Sequence, residues 1–338
     1  MGNDNNQIDF VVLWVDGNDE NWIQEKKRYS NILKKDYADS LIRYRDWQLF
    51  KFWFRGIEKF APWVNKVHFI TWGHVPPWLN LNHPKLNIVN HHNFIPEKYL
   101  PTFNSNVIEL NIHRISGLAE KFVLFNDDFF LINSVKEKDF FLKGKPCDEL
   151  VFNTIVQEDY SDIFTHSLLN NVGILNMNFS KRKQFIKYPF KHINLKYGAG
   201  LFRNLLLLSW SGYTGFKNRH LPQPFLKKTF ELVWNREAKY LNAVSHNKFR
   251  DRTDLTQYLI REWHLVRGDF YPINKNSQGK YFDLGEDNSK AINVIKSQRI
   301  KMICLNDSVE VKDFDQRKDE LIKAFNFILP EKSTYEIN

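Results

Sequence analysis

The segment from Glu120 to Ile132, EKFVLFNDDFFLI, constrains the fold more than any other part of the chain. It begins with Phe122–Phe125, an apolar run typical of a strand in a sheet covered on both faces. Two adjacent carboxylates, Asp127 and Asp128, follow where that strand must reach the surface. Because buried unpaired charge is costly, these groups must be solvated, protonated or neutralised by a cation. Asn126–Asp128 is also good turn chemistry, and a plain connecting turn is the alternative.

Strand-like and helix-like segments alternate in the N-terminal part of the chain. Strands are predicted at 8–15, 64–72, 86–89 and 122–125, with helices from 20, at 46–60 (capped by Asp46) and at 104–116. This alternation is the pattern of a mostly parallel sheet with helices on both faces. Sheets of this kind bind ligands at the carboxyl ends of their strands. We therefore expect an α/β fold with a nucleotide-binding unit at its start.

The C-terminal half is predicted to be mainly helical. Helices are expected at 161–176, 198–210, 225–243, 253–266 and 313–327, strands at 149–156 and 301–305, and a polar, irregular stretch at 268–297. We therefore divide the chain into an α/β core (1–160), a mainly helical acceptor-side subdomain (161–298) and a returning strand and helix (299–338).

Charge and cysteine content narrow the class of protein. A formal net charge of +9 suits an anionic partner such as nucleotide phosphates, a charged glycan, a membrane surface or nucleic acid. Cys147 and Cys304 form no CxxC pair, so neither a zinc finger nor a disulfide framework is expected. No apolar stretch approaches the roughly 20 residues of a membrane span. We expect a cytoplasmic protein that can touch the inner face of the plasma membrane through its basic surface.

Three apolar segments end in acidic residues: WVDG at 14–17, FNDD at 125–128 and CLND at 304–307. In a parallel sheet such ends meet at one edge, where we expect a nucleoside-diphosphate sugar with a divalent cation. Oxygen ligands favour Mg²⁺ or Mn²⁺ over zinc. His220, on a proline-stiffened loop, is suited to take the acceptor proton.

Two other groups of charged residues can each be interpreted as part of a binding site or as solvated surface groups. Arg43 and Arg45 precede a predicted helix and could bind phosphates, or could be a solvated surface pair. Glu109 and His113 share a side of the helix at 104–116, as an exposed pair or as a wall of the cleft. Adjacent histidines such as His91-His92 cannot both face one ion from a regular element, so no metal role is expected there.

These stretches resemble the Stealth family of sugar-phosphate transferases, which includes bacterial capsular polysaccharide phosphotransferases and the lysosomal-enzyme GlcNAc-1-phosphotransferase. Counterparts of its four conserved regions are IDFVVLWVDGN at 8–18, the long block at 43–131, His220-Leu221-Pro222 with 250–254, and KMICLND at 301–307. The third region departs from the family pattern, because Pro224-Phe225 stand where a second histidine is usual. Together the regions span roughly residues 10 to 310, nearly the whole length of the chain.

The resemblance implies a GT-A-like nucleotide-sugar fold and transfer of a sugar 1-phosphate from a nucleoside-diphosphate sugar, most simply a UDP-hexose or UDP-N-acetylhexosamine. The acceptor is a glycan hydroxyl in capsular or cell-wall polysaccharide synthesis, and the nucleoside monophosphate is released.

The resemblance also implies roles for particular residues. The donor site comprises Trp14, Val15, Asp16, Gly17, Arg43, Arg45, Asn126 and Asn306, the metal ligands are Asp127, Asp128 and Asp307, and the catalytic residues are Asp128, His220, Arg114 and Arg250. His220 is the expected general base, and the two arginines are expected to neutralise phosphate charge.

Two rival functions remain open from the sequence. A metal-dependent glycosyltransferase would attack the anomeric carbon and release the nucleoside diphosphate instead. A non-catalytic glycan- or nucleic-acid-binding protein would use the basic charge, with aromatic side chains interleaved among lysines on one face. Here the aromatic residues follow core periodicities, so no nucleic-acid partner is expected.

Overall fold

The β-branched and aromatic residues near the N-terminus form a strand buried on both faces, with Phe10 and Val12 in one hydrophobic core and Val11 in the other. The computed structural model describes residues 7–33, 45–307 and 310–337. In these ranges the strands are β1 (Ile8–Leu13), β2 (Val67–Thr71), β3 (Leu86–Asn90), β4 (Lys121–Phe125), β5 (Phe129–Leu131), β6 (Phe141–Leu142), β7 (Lys145–Asp148), β8 (Gln223–Leu226), β9 (Tyr271–Pro272), β10 (Gly279–Asp283) and β11 (Met302–Asn306).

Helices surround these strands and dominate the C-terminal half. They are α1 (Glu20–Leu33), α2 (Phe50–Phe60), α3 (Ser105–Asn111), α4 (Glu137–Phe140), α5 (Ile163–Asn178), α6 (Lys181–Lys187), α7 (Pro189–His192), α8 (Gly200–Leu208), α9 (Lys227–Arg236), α10 (Ala238–Ser245), α11 (Tyr258–Val266), α12 (Ser289–Ser297) and α13 (Phe314–Ile328). No helix in the described ranges is both long and apolar enough to cross a bilayer.

The main sheet has the order β3-β2-β1-β4-β8. The first four strands are parallel, as predicted, and β8 is antiparallel to β4. Residues of α2 and α13 pack in the core on one face, and residues of α3, α9 and α11 pack in the core on the other. The α/β fold with a helical C-terminal half is therefore confirmed.

A second sheet, of order β10-β11-β5, approaches the carboxyl edge of the main sheet. β11 is antiparallel to β5 and pairs Cys304 with Phe129. The prediction that three acidic segments end strands of one parallel sheet is therefore wrong for 304–307. Because the pairing is antiparallel, Asp307 still lies level with the turn that precedes Phe129.

Several predicted elements are wrong in type or position. Residues 149–156 form no strand beyond an isolated bridge at Phe152, and the strand lies earlier, at β7. The predicted helix at 225–243 begins as β8, an edge strand, where Pro224 is tolerated because its missing N–H is not needed by a neighbour. The stretch 268–297, predicted to be irregular, contains β10 and α12, which pack with β11 and α13 respectively.

The helix predicted from Asp46 begins four residues later, at Phe50. The side chain of Asp46 accepts the backbone N–H of Gln48 at 2.7 Å, and Gln48 has a positive φ of 55°. A left-handed residue interrupts a right-handed helix, so Asp46 closes a turn instead of capping α2.

Candidate active site

Asp128 lies in the turn between β4 and β5, against β11. Its backbone carbonyl accepts the N–H of Leu305 at 3.0 Å, and its Oδ2 accepts the thiol of Cys304 at 3.2 Å. The other oxygen, Oδ1, is buried without a hydrogen-bond partner among the described residues. A buried carboxylate oxygen without a donor indicates a place for a proton or a cation.

His220 faces the same carboxylate from the loop before β8. Its Nε2 lies 3.8 Å from Oδ2 of Asp128, and its Nδ1 lies 3.5 Å from the hydroxyl of Tyr258. The ring stands edge-on to Phe129 at 5.0 Å between centroids and to Tyr281 at 5.7 Å. With a φ of 48°, His220 adopts the left-handed conformation that turns the chain into the cleft.

Ion pairs of the adjacent residues hold His220 in place. Arg219 forms a bidentate pair with the buried carboxylate of Glu149, with Nη2 at 3.1 Å from Oε2. Asp148, the last residue of β7, precedes Glu149 and accepts two hydrogen bonds from Arg261, at 2.8 and 2.9 Å. Nζ of Lys275 lies 3.4 Å from Oδ1 of Asp148. Burial alone would raise the pKa of Asp148, but these cations hold it well below its usual value. This ionic cluster is therefore a rigid support for the loop that carries His220.

The pKa values of both carboxylates of the turn are raised. Burial, followed by repulsion from Asp127, raises the pKa of Asp128 to about 7. Desolvation, with repulsion from Asp46, raises the pKa of Asp127 to about 6, although its side chain reaches solvent. A cation bound there would displace the protons.

Glu109 and Arg250 interact electrostatically. Burial raises the pKa of Glu109 to about 7, and Arg250 partly opposes that shift. Burial and the charge of Arg250 lower the pKa of His220, while Asp283 opposes this. Arg250 donates to the hydroxyl of Ser105 at 2.8 Å, at the start of α3. The charge of Arg250 thus acts on both His220 and Glu109.

The predicted partner of Glu109, His113, points elsewhere. It is buried against Phe230 and Trp234, at 5.8 and 5.7 Å between ring centroids. The change from α-helix to a 3₁₀ turn at Ile112–Arg114 alters the spacing, so residues four apart no longer share a side.

Asp307 is already neutralised by a cation of the protein. Nε and Nη2 of Arg45 donate to its two oxygens at 3.0 and 2.6 Å, and the indole N–H of Trp47 donates to it at 2.7 Å. Arg45 also lies over the ring of Phe314, at 4.6 Å. The structure therefore gives Asp307 a bidentate arginine partner and does not group it with Asp128 around a common point.

The loop after β1 is anchored by a histidine that the sequence did not single out. Nε2 of His74 accepts the backbone N–H of Asp16 at 2.8 Å, and its ring stands edge-on to Trp14 at 5.3 Å. The Asp16 carboxylate accepts the N–H of Asn18 at 2.9 Å. Val15 and Gly17, on either side of Asp16, are half-buried. Since Val12 pairs with Phe125 in β4, this loop and Asp128 lie at the same edge of the sheet.

Asn306 and Asn126 lie on either side of the turn. Asn306 donates to Asp283 of β10 at 2.8 Å, and Asp283 also accepts the hydroxyl of Tyr281 at 2.5 Å. Asn126 is half-buried and its carbonyl accepts the N–H of Phe129 at 3.2 Å. Both asparagines thus lie beside the turn where the donor is expected.

One of the predicted arginines is not brought to this cluster. Arg114 is exposed; it donates to Asn111 at 2.9 Å and lies over Trp234 at 4.6 Å, beside α9. Arg43 lies outside the described residues.

Potential ligands for a divalent cation lie around Asp128. In the described ranges, one group of three potential ligands has its ligand atoms within 4.8 Å of one another: Asp128, His220 and Cys304. Burial and the charge of Asp128 raise the pKa of the Cys304 thiol, so it stays protonated at neutral pH and is a poor ligand. The unpartnered Oδ1 of Asp128 and the adjacent Asp127 fit an oxygen-preferring cation better.

Several residues of the cluster escaped prediction. Cys304 lies in the predicted strand at 301–305, and Tyr281 and Asp283 lie in the stretch 268–297, which is predicted to be irregular. Alternating side chains in GKYFD at 279–283 were the available signal for β10. Tyr258 begins the amphipathic helix α11, and nothing in its periodicity separates it from core residues.

Comparison with known proteins agrees with the resemblance found in the sequence. Residues 6–34 match the family model described as Stealth protein CR1, conserved region 1, and residues 43–148 match Stealth protein CR2, conserved region 2. These regions contain the β1 loop and the turn with Asp127 and Asp128.

Relatives match along the whole chain. The capsular polysaccharide phosphotransferase WcwK of Streptococcus pneumoniae is 44% identical over 335 residues, covering 98% of each chain. The exopolysaccharide phosphotransferase cps2G of Lactiplantibacillus plantarum is 42% identical, covering 97% of this chain and 96% of its own. The receptor polysaccharide phosphotransferase WefC of Streptococcus gordonii is 39% identical, covering 98% and 99%. With this similarity along its full length, the chain belongs to the Stealth family and is a phosphotransferase.

Proposed function

We propose that this phosphotransferase moves a sugar 1-phosphate from a UDP-sugar to a hydroxyl group of a glycan, in the synthesis of a capsular or cell-wall polysaccharide. The acidic turn facing His220 carries the proposal, because Oδ2 of Asp128 lies 3.8 Å from Nε2 of the imidazole. The names of the relatives, which include capsular and exopolysaccharide phosphotransferases, support a glycan acceptor. The net charge of +9 suits an anionic donor.

In this mechanism His220 is the general base. Burial and Arg250 lower its pKa, so the imidazole is neutral at pH 7 and can accept a proton. If Nδ1–H donates to Tyr258, Nε2 keeps its lone pair toward the cleft. The acceptor hydroxyl gives its proton to Nε2, and the imidazolium that forms is stabilised by the carboxylate of Asp128.

The acceptor oxygen then forms a bond to the β-phosphorus of the donor. The bond between that phosphorus and the bridging oxygen breaks, so UMP leaves with the bridging oxygen and a phosphodiester remains. Arg250, close to His220 and Glu109, would neutralise charge that develops on the phosphoryl oxygens.

A divalent cation, Mg²⁺ or Mn²⁺, fits the carboxylates of Asp127 and Asp128, and it would supply charge neutralisation for the diphosphate. The backbone of 14–17 would line the nucleotide, with Asn126 and Asn306 at the edge of the donor site. Arg45 would act through Asp307 and Trp47, which fix the segment before α2.

We further propose that the enzyme works in the cytoplasm and contacts the inner face of the plasma membrane through its basic surface. The abundance of lysine and arginine supports this, since the cytoplasmic leaflet carries negative charge.

The identity of the released nucleotide tests the reaction. The protein would be incubated with Mg²⁺, a glycan acceptor and a panel of UDP-sugars, and the nucleotides separated by ion-exchange chromatography. Release of UMP is expected. Release of UDP would indicate attack at the anomeric carbon and would replace this proposal with a glycosyltransferase.

A further inference from the structure

One long segment of the helical half contains no acidic residue. Residues 163–230 lack aspartate and glutamate, whereas the chain average of 39 in 338 would give about eight in such a stretch. The same residues include eleven basic ones, namely Lys181, Arg182, Lys183, Lys187, Lys191, Lys196, Arg203, Lys217, Arg219, Lys227 and Lys228. The positive charge of the protein is therefore concentrated here.

Helix α8 within this segment turns an apolar face to solvent. Phe202, Leu205 and Leu206 follow helical spacing and are 66%, 49% and 57% exposed, while the polar Asn204 is only 2% exposed. Trp210, just beyond the end of the helix, is 56% exposed. An amphipathic helix of a globular protein normally buries its apolar stripe and exposes its polar residues. The reversed orientation indicates that this stripe meets something outside the chain.

The preceding helices add apolar and basic side chains. Ile186, Phe190 and Leu195 are 67%, 82% and 88% exposed. Arg182, Lys183 and Lys187 on α6 are also exposed, and none of them takes part in an ion pair found among the described residues.

Hydrogen bonds join these helices into one unit. Nζ of Lys181, at the start of α6, donates to the carbonyls of Trp210 and Gly212 at 3.1 and 3.3 Å. The side chain of Asn204 donates to the carbonyl of His192, at the end of α7, at 2.8 Å. Helices α6 and α7 therefore lie against α8 and the turn that follows it. The exposed residues of these segments form what we term the basic apolar surface: 182, 183, 186, 187, 190, 195, 202, 205, 206 and 210.

We propose that the basic apolar surface binds the face of an anionic lipid bilayer. Helices with lysine and arginine beside exposed Phe, Leu and Trp lie in the membrane interface, with apolar groups among the acyl chains and cations at the headgroups. Pairing with a second copy through a two-fold axis would bring the basic residues of the two chains together without an acidic residue from 163–230 to offset them. Charge thus favours a lipid surface over self-association.

The surface is coupled to the loop that carries His220. The side chain of Asn204 on α8 donates to the carbonyl of Leu150 at 2.7 Å, and the adjacent Glu149 binds Arg219. A bilayer bound at α6–α8 would therefore hold the cleft at a fixed distance from its headgroups.

Vesicle co-sedimentation tests the proposal with the full chain and no substrate, so its outcome is independent of the transfer reaction. The protein should bind vesicles of phosphatidylglycerol and phosphatidylcholine, bind pure phosphatidylcholine much more weakly, and dissociate in high salt. Arg182→Gln/Lys183→Gln/Lys187→Gln should weaken binding on the order of 100-fold. Phe202→Ser/Leu206→Ser should weaken it roughly tenfold or more.

Matched variants elsewhere provide controls. Lys290→Gln/Lys296→Gln/Arg299→Gln removes the same charge from exposed positions, and Phe327→Ser replaces a phenylalanine that is 68% exposed on α13. Both should bind like the wild type. No binding to anionic vesicles, or equal losses in surface and control variants, would overturn the proposal. So would a wild-type dimer that Phe202→Ser/Leu206→Ser dissociates without changing vesicle binding, since the surface would then join two copies.

Discussion

The carboxyl group of Asp128 is costly to the folded protein when it is ionised. Its pKa rises from 3.8 to about 7 because of burial and the neighbouring Asp127. Between these values the native state binds a proton that the unfolded state does not, so stability falls as the pH rises through this window. Above pH 7 the full loss of unfolding free energy caused by ionised Asp128 is present, as expected for a group retained for function rather than stability.

Asp128→Asn should therefore separate stability from activity. At pH 8 with a chelator present, the variant should be more stable than the wild type by roughly 1–2 kcal/mol, a value discounted for partial exposure of the side chain. At pH 4 the difference should vanish. Turnover should fall by at least about 100-fold. Urea denaturation at both pH values measures the difference in unfolding free energy between the variant and the wild type. If the two proteins were equally stable at both pH values, the raised pKa of Asp128 would be contradicted.

His220→Gln should remove the base while leaving the fold intact, since the side chain is 37% exposed. We expect kcat to fall by roughly 10²–10⁴ with little change in KM. Tyr258→Phe, which removes only the hydroxyl group next to Nδ1, should cost less. Steady-state kinetics decide this, and a His220→Gln enzyme with normal kcat would assign the base to another group.

Among the elements, α2 approaches β5 closely enough to require glycine. A Cβ on Gly56 would lie 2.9 Å from the carbonyl oxygen of Leu131, a backbone atom that cannot move aside cheaply. Gly173 in α5 is also helical but has no such neighbour within 4 Å.

Alanine at these two glycines should have opposite effects. Gly56→Ala should destabilise the protein by roughly 1–3 kcal/mol, because overpacking outweighs the better helix propensity. Gly173→Ala should stabilise it by up to about 1 kcal/mol, as expected for an unobstructed helix position. Thermal denaturation of both variants measures this. Stabilisation by Gly56→Ala would show that the helix and strand are further apart.

The elements predicted correctly are those with strong local patterns. The apolar runs of β1 and β4 needed no knowledge of distant residues, and the helix predicted at 313–327 is observed as α13. By contrast, β8 contains Pro224, which is unfavourable in a strand, and this segment becomes a strand only because it pairs with β4. The same holds for β10, whose exposed residues gain their conformation from β11.

The candidate site was predictable to a similar degree. The adjacency of Asp127 and Asp128 and the histidine at 220 are visible in the sequence. The pairing of Asp307 with Arg45 is not, because 262 positions separate the two residues. Cys304 beside Asp128 likewise follows from the antiparallel register of β5 and β11, which no local pattern encodes.

For the molecule as a whole, buried neutral histidines govern stability in mild acid. Burial, with a further contribution from Arg114, lowers the pKa of His113 to about 3, and burial lowers that of His264 to about 4. Between these values and 6.5 only the unfolded chain binds the proton, so each histidine lowers stability as the pH falls through that window.

His113→Phe keeps the ring packing against Phe230 and removes this titration. Relative to the wild type, the variant should gain about 1–2 kcal/mol in unfolding free energy between pH 7 and pH 5. Guanidinium denaturation at the two pH values is the measurement. A difference between the two proteins that does not change with pH would mean that His113 has the same pKa in the native and unfolded states.

The fate of the donor β-phosphorus tests the central claim most directly. With a UDP-sugar radiolabelled at the β-phosphate, the wild type should transfer the label to the glycan as a phosphodiester, and Asp128→Asn should transfer almost none. Label that stays entirely with the released nucleotide would contradict sugar-phosphate transfer, and full transfer by Asp128→Asn would remove the reaction from this cleft.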